Sequence, residues 1–177
     1  MSTFNLDSFI TELRGAAEKA DASKAIRALM NDAFQDPDAI KAAMSGYSGF
    51  EEVLYEDDGI SIWYVGFNPD DHVPPHDHQI QAFIGVYDGA EKNHFYLVGD
   101  SELEHKTTKV VEPGDVIAIG PEGIHSVETA NDQHCYGIHV YLGALTKIER
   151  SLFDWETGAA EPFNEDSFNQ MIRPSVT

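Results

Sequence analysis

Between Glu51 and Asp154 the chain alternates apolar and polar residues in short runs, and nearly every run ends in residues that turn a backbone. Period-two patterning of this kind belongs to strands with one buried face. Nine runs qualify: 53–56, 60–67, 79–87, 94–98, 107–112, 116–119, 126–128, 135–141 and 148–153. Between them stand Asp57-Asp58-Gly59, Asn68-Pro69-Asp70-Asp71, Asp88-Gly89, Pro113-Gly114-Asp115 and Gly120-Pro121-Glu122-Gly123. Many short strands at such spacing predict an antiparallel sandwich or barrel. The preceding residues read as helical: Leu6, Phe9, Ile10 and Leu13 recur at helical spacing, as do Ile26, Leu29, Met30 and Ala33. Asp36 before Pro37 marks the start of a third short helix reaching Ala43. With 177 residues the expectation is one domain, helical over 1–46, β-barrel over 47–163, and a tail over 164–177 that forms one more helix from 163 to 172.

Composition narrows the partners. Acidic residues outnumber Lys and Arg 31 to 11, for a formal charge of −20. Such a field repels nucleic-acid phosphates and anionic membranes, so neither is expected as a partner. The single cysteine, Cys135, has no intramolecular partner, which excludes a disulfide-stapled secreted module. The opening MSTFNLDSF lacks the basic-then-apolar pattern of a secretion signal, and a cytoplasmic location is expected. Oligomeric state is not specified by anything in the sequence.

The histidines carry the chemical signal. His76 and His78 bracket Asp77 at what reads as the start of the 79–87 strand, where residues i and i+2 share a face about 6.5–7 Å apart. By itself this pair is read as two exposed side chains before it is read as two ligands of one ion. His125 follows the turn Gly120-Pro121-Glu122-Gly123-Ile124, from which a strand can return it to the same cavity. At this point the chain resembles the cupin superfamily, double-stranded β-helix barrels that hold a metal. The usual first motif, G-x5-HxH-x3,4-E-x6-G, appears as His76-Asp77-His78, then Ala82, then Gly89. The second, G-x5-P-x-G-x2-H, appears slightly shifted as Gly114 with Pro121-Glu122-Gly123-Ile124-His125. Ala82 stands where most cupins place a glutamate ligand. The resemblance therefore implies three neutral imidazoles, His76, His78 and His125, around an ion that keeps its full charge and has open positions.

Over residues 47–165 the chain is similar to the three-histidine thiol dioxygenases, which oxidise cysteine or 3-mercaptopropionate to sulfinates. Phe83-Ile84-Gly85-Val86 and Gly89-Ala90-Glu91 look like their bacterial branch, and Gly137-Ile138-His139-Val140-Tyr141 resembles their S-x-H-x-Y segment, with Gly137 in place of the serine. The resemblance implies Fe(2+) as cofactor (Ni, Zn or Mn being acceptable to the same donors), a small thiol and O2 as partners, and a catalytic role for Tyr141 oriented by His139. A carboxylate-bearing substrate in an acidic protein needs a cation. Arg150 stands nine residues after Tyr141, as in the 3-mercaptopropionate branch, and no basic residue lies between Ala42 and Glu91. This favours 3-mercaptopropionate over cysteine, with Arg150 as carboxylate clamp and an ion pair with Glu149 or Asp154 as the bland alternative. Gln81 replaces a frequent tryptophan and is expected beside the metal as a substrate contact. Gln81 and Gly137 keep two other readings open: another three-histidine cupin enzyme, such as a β-diketone dioxygenase or metal-dependent lyase, and a non-catalytic metal or small-ligand binder. His72, His94, His105 and His134 are read as surface residues in or beside polar loops. Asp77 is expected to point away from the ligands, and one of Trp63 and Tyr64, on opposite faces of a strand, is expected in the core.

Overall fold

A computed structural model describes residues 4–100 and 102–175. Residues 1–3, 101 and 176–177 of the span delimited from the sequence lie outside it. Helices α1 (Leu6–Ala17), α2 (Ala22–Ala33) and α3 (Pro37–Ala43) begin where the sequence places them, because Asn5, Asp21 and Asp36 each accept a hydrogen bond from a backbone N–H three residues on. Their apolar stripes, among them Leu13, Ile26, Met30 and Ile40, are buried against Ile62, Tyr64, Phe83 and Ile138. Those four residues are the outer face of a sheet, so the helices cover it.

That sheet runs β1 (Glu51–Glu56), β2 (Ser61–Phe67), β9 (Cys135–Tyr141), β4 (Ala82–Asp88), β7 (Val116–Ile119). A second sheet runs β11 (Ala160–Pro162), β10 (Ser151–Phe153), β3 (Asp71–His76), β8 (Ile124–Thr129), β5 (Glu91–Val98), β6 (Leu103–Val111), with β12 (Arg173–Pro174) paired to β3. All ladders are antiparallel. The inner faces of the two sheets meet in a cluster containing Val65, Val73, Ile84, Val127 and Leu152, and α4 (Glu165–Met171) closes one end through Phe168. The protein is mainly β, two antiparallel sheets packed face to face with an N-terminal helical cover. Among the described residues no helix is long and apolar enough to cross a membrane.

Two local departures from the sequence reading position the site. Residues 72–75, which lie in none of the strand runs read from the sequence, belong to strand β3 (Asp71–His76), with Pro74 and Pro75 inside it. Proline has no N–H for a ladder, and the pair falls at an irregularity of the β3–β8 register, between Val73↔Val127 and His76↔His125. His76 therefore ends β3 in one sheet, while His78 lies in the connection to β4 in the other. The two histidines flank a corner instead of sharing a strand face. A second corner is Gly89 (φ +70°), where the chain passes from β4 to β5. A Cβ there would strike the His134 carbonyl oxygen, so only glycine allows the passage.

Candidate metal centre

His76, His78 and His125 converge inside the barrel. Their ring centroids are 5.1 Å (76–78), 4.5 Å (76–125) and 5.0 Å (78–125) apart, and one nitrogen from each lies within 4.8 Å of the other two. All three are buried. The orientation of two rings is set from outside. His76 Nδ1 donates to the Pro74 carbonyl at 2.8 Å. His125 Nδ1 donates to Asn93 Oδ1 at 2.7 Å, and Asn93 Nδ2 in turn donates to Glu91 Oε1 at 2.9 Å, which fixes the amide and hence the imidazole tautomer. The remaining nitrogen of each ring then carries a lone pair toward the common centre.

His78 Nδ1 and His125 Nε2 are buried with no hydrogen-bond partner. Each such atom costs about 1–3 kcal/mol unless something meets it. Burial also disfavours the imidazolium form: it holds His76 down to about 4 and drives His78 and His125 well below the usual histidine range, with repulsion from neighbouring rings adding to both. Three neutral nitrogen donors, two of them orphaned, fit a borderline divalent ion. Ala82 is fully buried in the barrel core, and no carboxylate of the described residues joins the three histidines.

A cavity of about 150 Å³ opens beside the histidines, equal to roughly five waters' share of liquid volume. Tyr141, His139, Arg150 and Trp63 line it, with Phe67, Phe163 and Phe168 as apolar wall and Glu51 and Glu165 as its acidic members. The Tyr141 ring lies 5.1 Å from the His78 ring, and its hydroxyl is 3.3 Å from His139 Nδ1. Burial pushes the Tyr141 phenol far above its ordinary value, partly offset by Arg150, so it is a neutral hydrogen-bond donor at neutral pH. Arg150 stacks on Phe163, its guanidinium carbon 3.7 Å from the ring centroid. Neither Glu149 nor Asp154 pairs with it, and no carboxylate of the described residues forms an ion pair with it. A guanidinium without a counter-ion is thus presented to the cavity.

Gln81 is placed otherwise than expected. Its amide nitrogen donates to the carbonyls of Ala82 (3.1 Å) and Ile119 (2.8 Å), tying β4 to the end of β7, and it does not line the cavity. Asp77 does point away from the rings, accepting from Ser151 N (2.9 Å) and Gln79 Nε2 (2.6 Å).

Three residues of the site escape sequence reading. Glu91 is fully buried and its Oε2 lies 3.3 Å from His139 Nε2, although off line for a hydrogen bond. It occupies the far side of His139 from Tyr141. A serine at position 137 could not be fitted beside that histidine, because its Cβ would lie 2.6 Å from the Gly85 carbonyl oxygen. Asn93 orients His125, and Trp63, paired with His139 across β2 and β9, brings a buried, unpartnered indole N–H to the cavity wall. In the all-polar run Glu91-Lys92-Asn93-His94 no hydrophobic pattern marks Glu91 and Asn93 as inward; their alternate burial is visible only in the structure.

No protein-family model matches the sequence. Among solved structures the chain is similar to a cupin superfamily protein from Desulfitobacterium hafniense (14% identity, 52% of this chain and 75% of that one, TM-score 0.44). It is also similar to an uncharacterised protein with a double-stranded β-helix domain from Klebsiella pneumoniae (16%, 61% and 88%, TM-score 0.47). An oxalate oxidase in complex with glycolate matches at 23% identity over 48% of this chain and 42% of that one, with a TM-score of 0.41.

Proposed function

We propose that the protein is a non-haem iron thiol dioxygenase that converts a small carboxylate-bearing thiol, 3-mercaptopropionate in preference to cysteine, to its sulfinate. The overall change is R–SH + O2 → R–SO2H: both oxygen atoms end on sulfur, and the thiol itself supplies the electrons. One observation carries the reading: three neutral imidazoles without a carboxylate ligand face a small cavity that also holds an unpaired guanidinium. His76, His78 and His125 would hold Fe(2+), which when bound acidifies a thiol and activates dioxygen.

The remaining work belongs to the protein. Arg150 binds the carboxylate through its planar fork and so aims the sulfur at the histidines. The Tyr141 hydroxyl, buried and protonated, donates a hydrogen bond toward the reacting atoms. His139, held between Tyr141 and Glu91, keeps that hydroxyl oriented. Phe67, Phe163 and Phe168 exclude water. The partners in this reading are a small thiol and O2 in the cytoplasm, with no nucleic acid or membrane.

The test is oxygen uptake by the iron-loaded protein across 3-mercaptopropionate, cysteine and 2-mercaptoethanol, with the product weighed by mass spectrometry. The reading expects uptake fastest with 3-mercaptopropionate and a product heavier by two oxygen atoms. Uptake with no thiol, or turnover of a β-diketone in the absence of thiol, would overturn it.

A further inference from the structure

Strands β3, β8 and β5 bring together a second group of side chains with metal-ligating donors, His72, His94 and Glu128, on their other face. Alternation sets this up. On β8 His125 and Val127 turn into the barrel, so Ser126 and Glu128 turn outward; on β5 Asn93 turns inward toward His125, so His94 turns outward. His72 stands beside them, one residue before the inward Val73 of β3.

His94 Nε2 lies 3.0 Å from Glu128 Oε1, and His72 Nδ1 lies 3.9 Å from Glu128 Oε2. One ligand atom from each of the three residues lies within 4.8 Å of the other two. Two donors at zinc's bond lengths in tetrahedral array stand about 3.3 Å apart; His94 reaches Glu128 Oε1 at 3.0 Å and His72 reaches Oε2 at 3.9 Å, so modest side-chain rotation brings the set to that spacing. The second nitrogen of each ring is already anchored: His72 Nε2 to Ser126 Oγ and His94 Nδ1 to Thr108 Oγ1, both at 2.8 Å. Ligating histidines are commonly held in this way by a polar partner on the far nitrogen. The side chains are 14% (His72), 18% (His94) and 5% (Glu128) exposed, which is enclosed enough to hold an ion and open enough to admit one. Glu128 now accepts from His94 Nε2 at 3.0 Å, Lys92 at 2.9 Å and Ser175 at 2.6 Å; an ion would displace the His94 proton, and Lys92, 28% exposed on a flexible stem, can withdraw to solvent.

We propose that His72, His94 and Glu128 form a second metal site, for a divalent ion of the zinc class, on the outer face of the barrel and back to back with the inner one. The two sites draw on the same three strands, so an ion outside cross-links the segments that carry or orient the inner ligands. This inference stands apart from the thiol chemistry and would survive its failure.

The experiment is zinc titration of the full-length, chelator-stripped protein by isothermal calorimetry. The variant His76→Ala/His78→Ala, which lacks two inner donors, is expected to bind one equivalent of zinc, and adding His94→Gln is expected to abolish that binding. Cobalt(II) on the first variant should show the visible absorption of four-coordinate nitrogen–oxygen ligation. In the otherwise unaltered chain, His94→Gln and His72→Asn should each lower bound zinc from two equivalents to one with circular dichroism unchanged, which decides the matter even if the inner double variant fails to fold. No zinc on a folded inner variant overturns the proposal. So does a stoichiometry that neither His72→Asn nor His94→Gln changes.

Discussion

Replacing Arg150 with alanine isolates the contact on which the proposed substrate choice rests. In the structure the guanidinium is largely buried, stacked on Phe163, and has no carboxylate partner. Burial lowers its pKa, but arginine stays charged at any working pH. A substrate carboxylate would be its counter-ion. A hydrogen bond to a charged group contributes about 1.5–3 kcal/mol, and the anion stripped of its partner would sit among Glu51 and Glu165. The expected loss is therefore about 10- to 150-fold in kcat/KM, carried mainly by KM. The assay is oxygen uptake with 3-mercaptopropionate and with 2-mercaptoethanol, which has no carboxylate, alongside iron content. Only the first substrate should suffer, and iron should remain bound. Arg150→Lys keeps the charge but not the fork and should recover part of the loss. An equal fall for both thiols, a fall that tracks lost iron, or no fall at all would refute the clamp.

Further outcomes follow from the same geometry. Asn93→Ala removes the acceptor that orients His125 and should weaken iron affinity by about 10- to 100-fold, read by competition with a chromogenic chelator. Gly137→Ser, which restores the residue usual in the resembled family, drives a Cβ to 2.6 Å from the Gly85 carbonyl and should destabilise the fold by about 1–3 kcal/mol in urea unfolding. Glu91→Gln should lower kcat with 3-mercaptopropionate and change its pH profile through His139 and Tyr141, and, because Glu91 also accepts from Asn93 behind His125, should weaken iron affinity less than Asn93→Ala does in the same chelator competition. The metal-free protein should lose stability on mild acidification. His72 and His76 titrate near 4 in the fold because burial opposes their charged forms, against 6.5 when unfolded. Below about pH 6.5 the unfolded chain takes up protons that the fold refuses, so stability is complete above that pH and falls toward pH 4, by up to about 3 kcal/mol for each. Thermal melts between pH 7.5 and 5 check this, and a flat profile would contradict the burial argument.

Much of the site is legible along the chain. The caps at Asn5, Asp21 and Asp36 act within three residues, so helix starts are local decisions. His139 and Tyr141 share a face because any strand alternates, and they meet at 3.3 Å as that rule requires. Other parts are hidden. Strand β3 is masked by Pro74 and Pro75, which interrupt any period-two pattern and are held in the strand by a register irregularity opposite β8. Gln81 looks like a substrate contact beside His78, yet its amide is committed to a carbonyl of Ile119, a partner set by the pairing of β4 with β7. His72 and His94 look like loop histidines, and only the pairing of β3 and β5 with β8 brings both to Glu128.

What the sequence determines by itself is whatever depends on neighbours a few residues away: where helices begin, which residues alternate inward, which donor types are present and that no carboxylate stands at Ala82. What only the tertiary structure decides is which distant residues share a space. Glu91 behind His139, Asn93 behind His125 and the outer group around Glu128 exist because strands remote in sequence lie side by side, their register set by burying one face of each sheet.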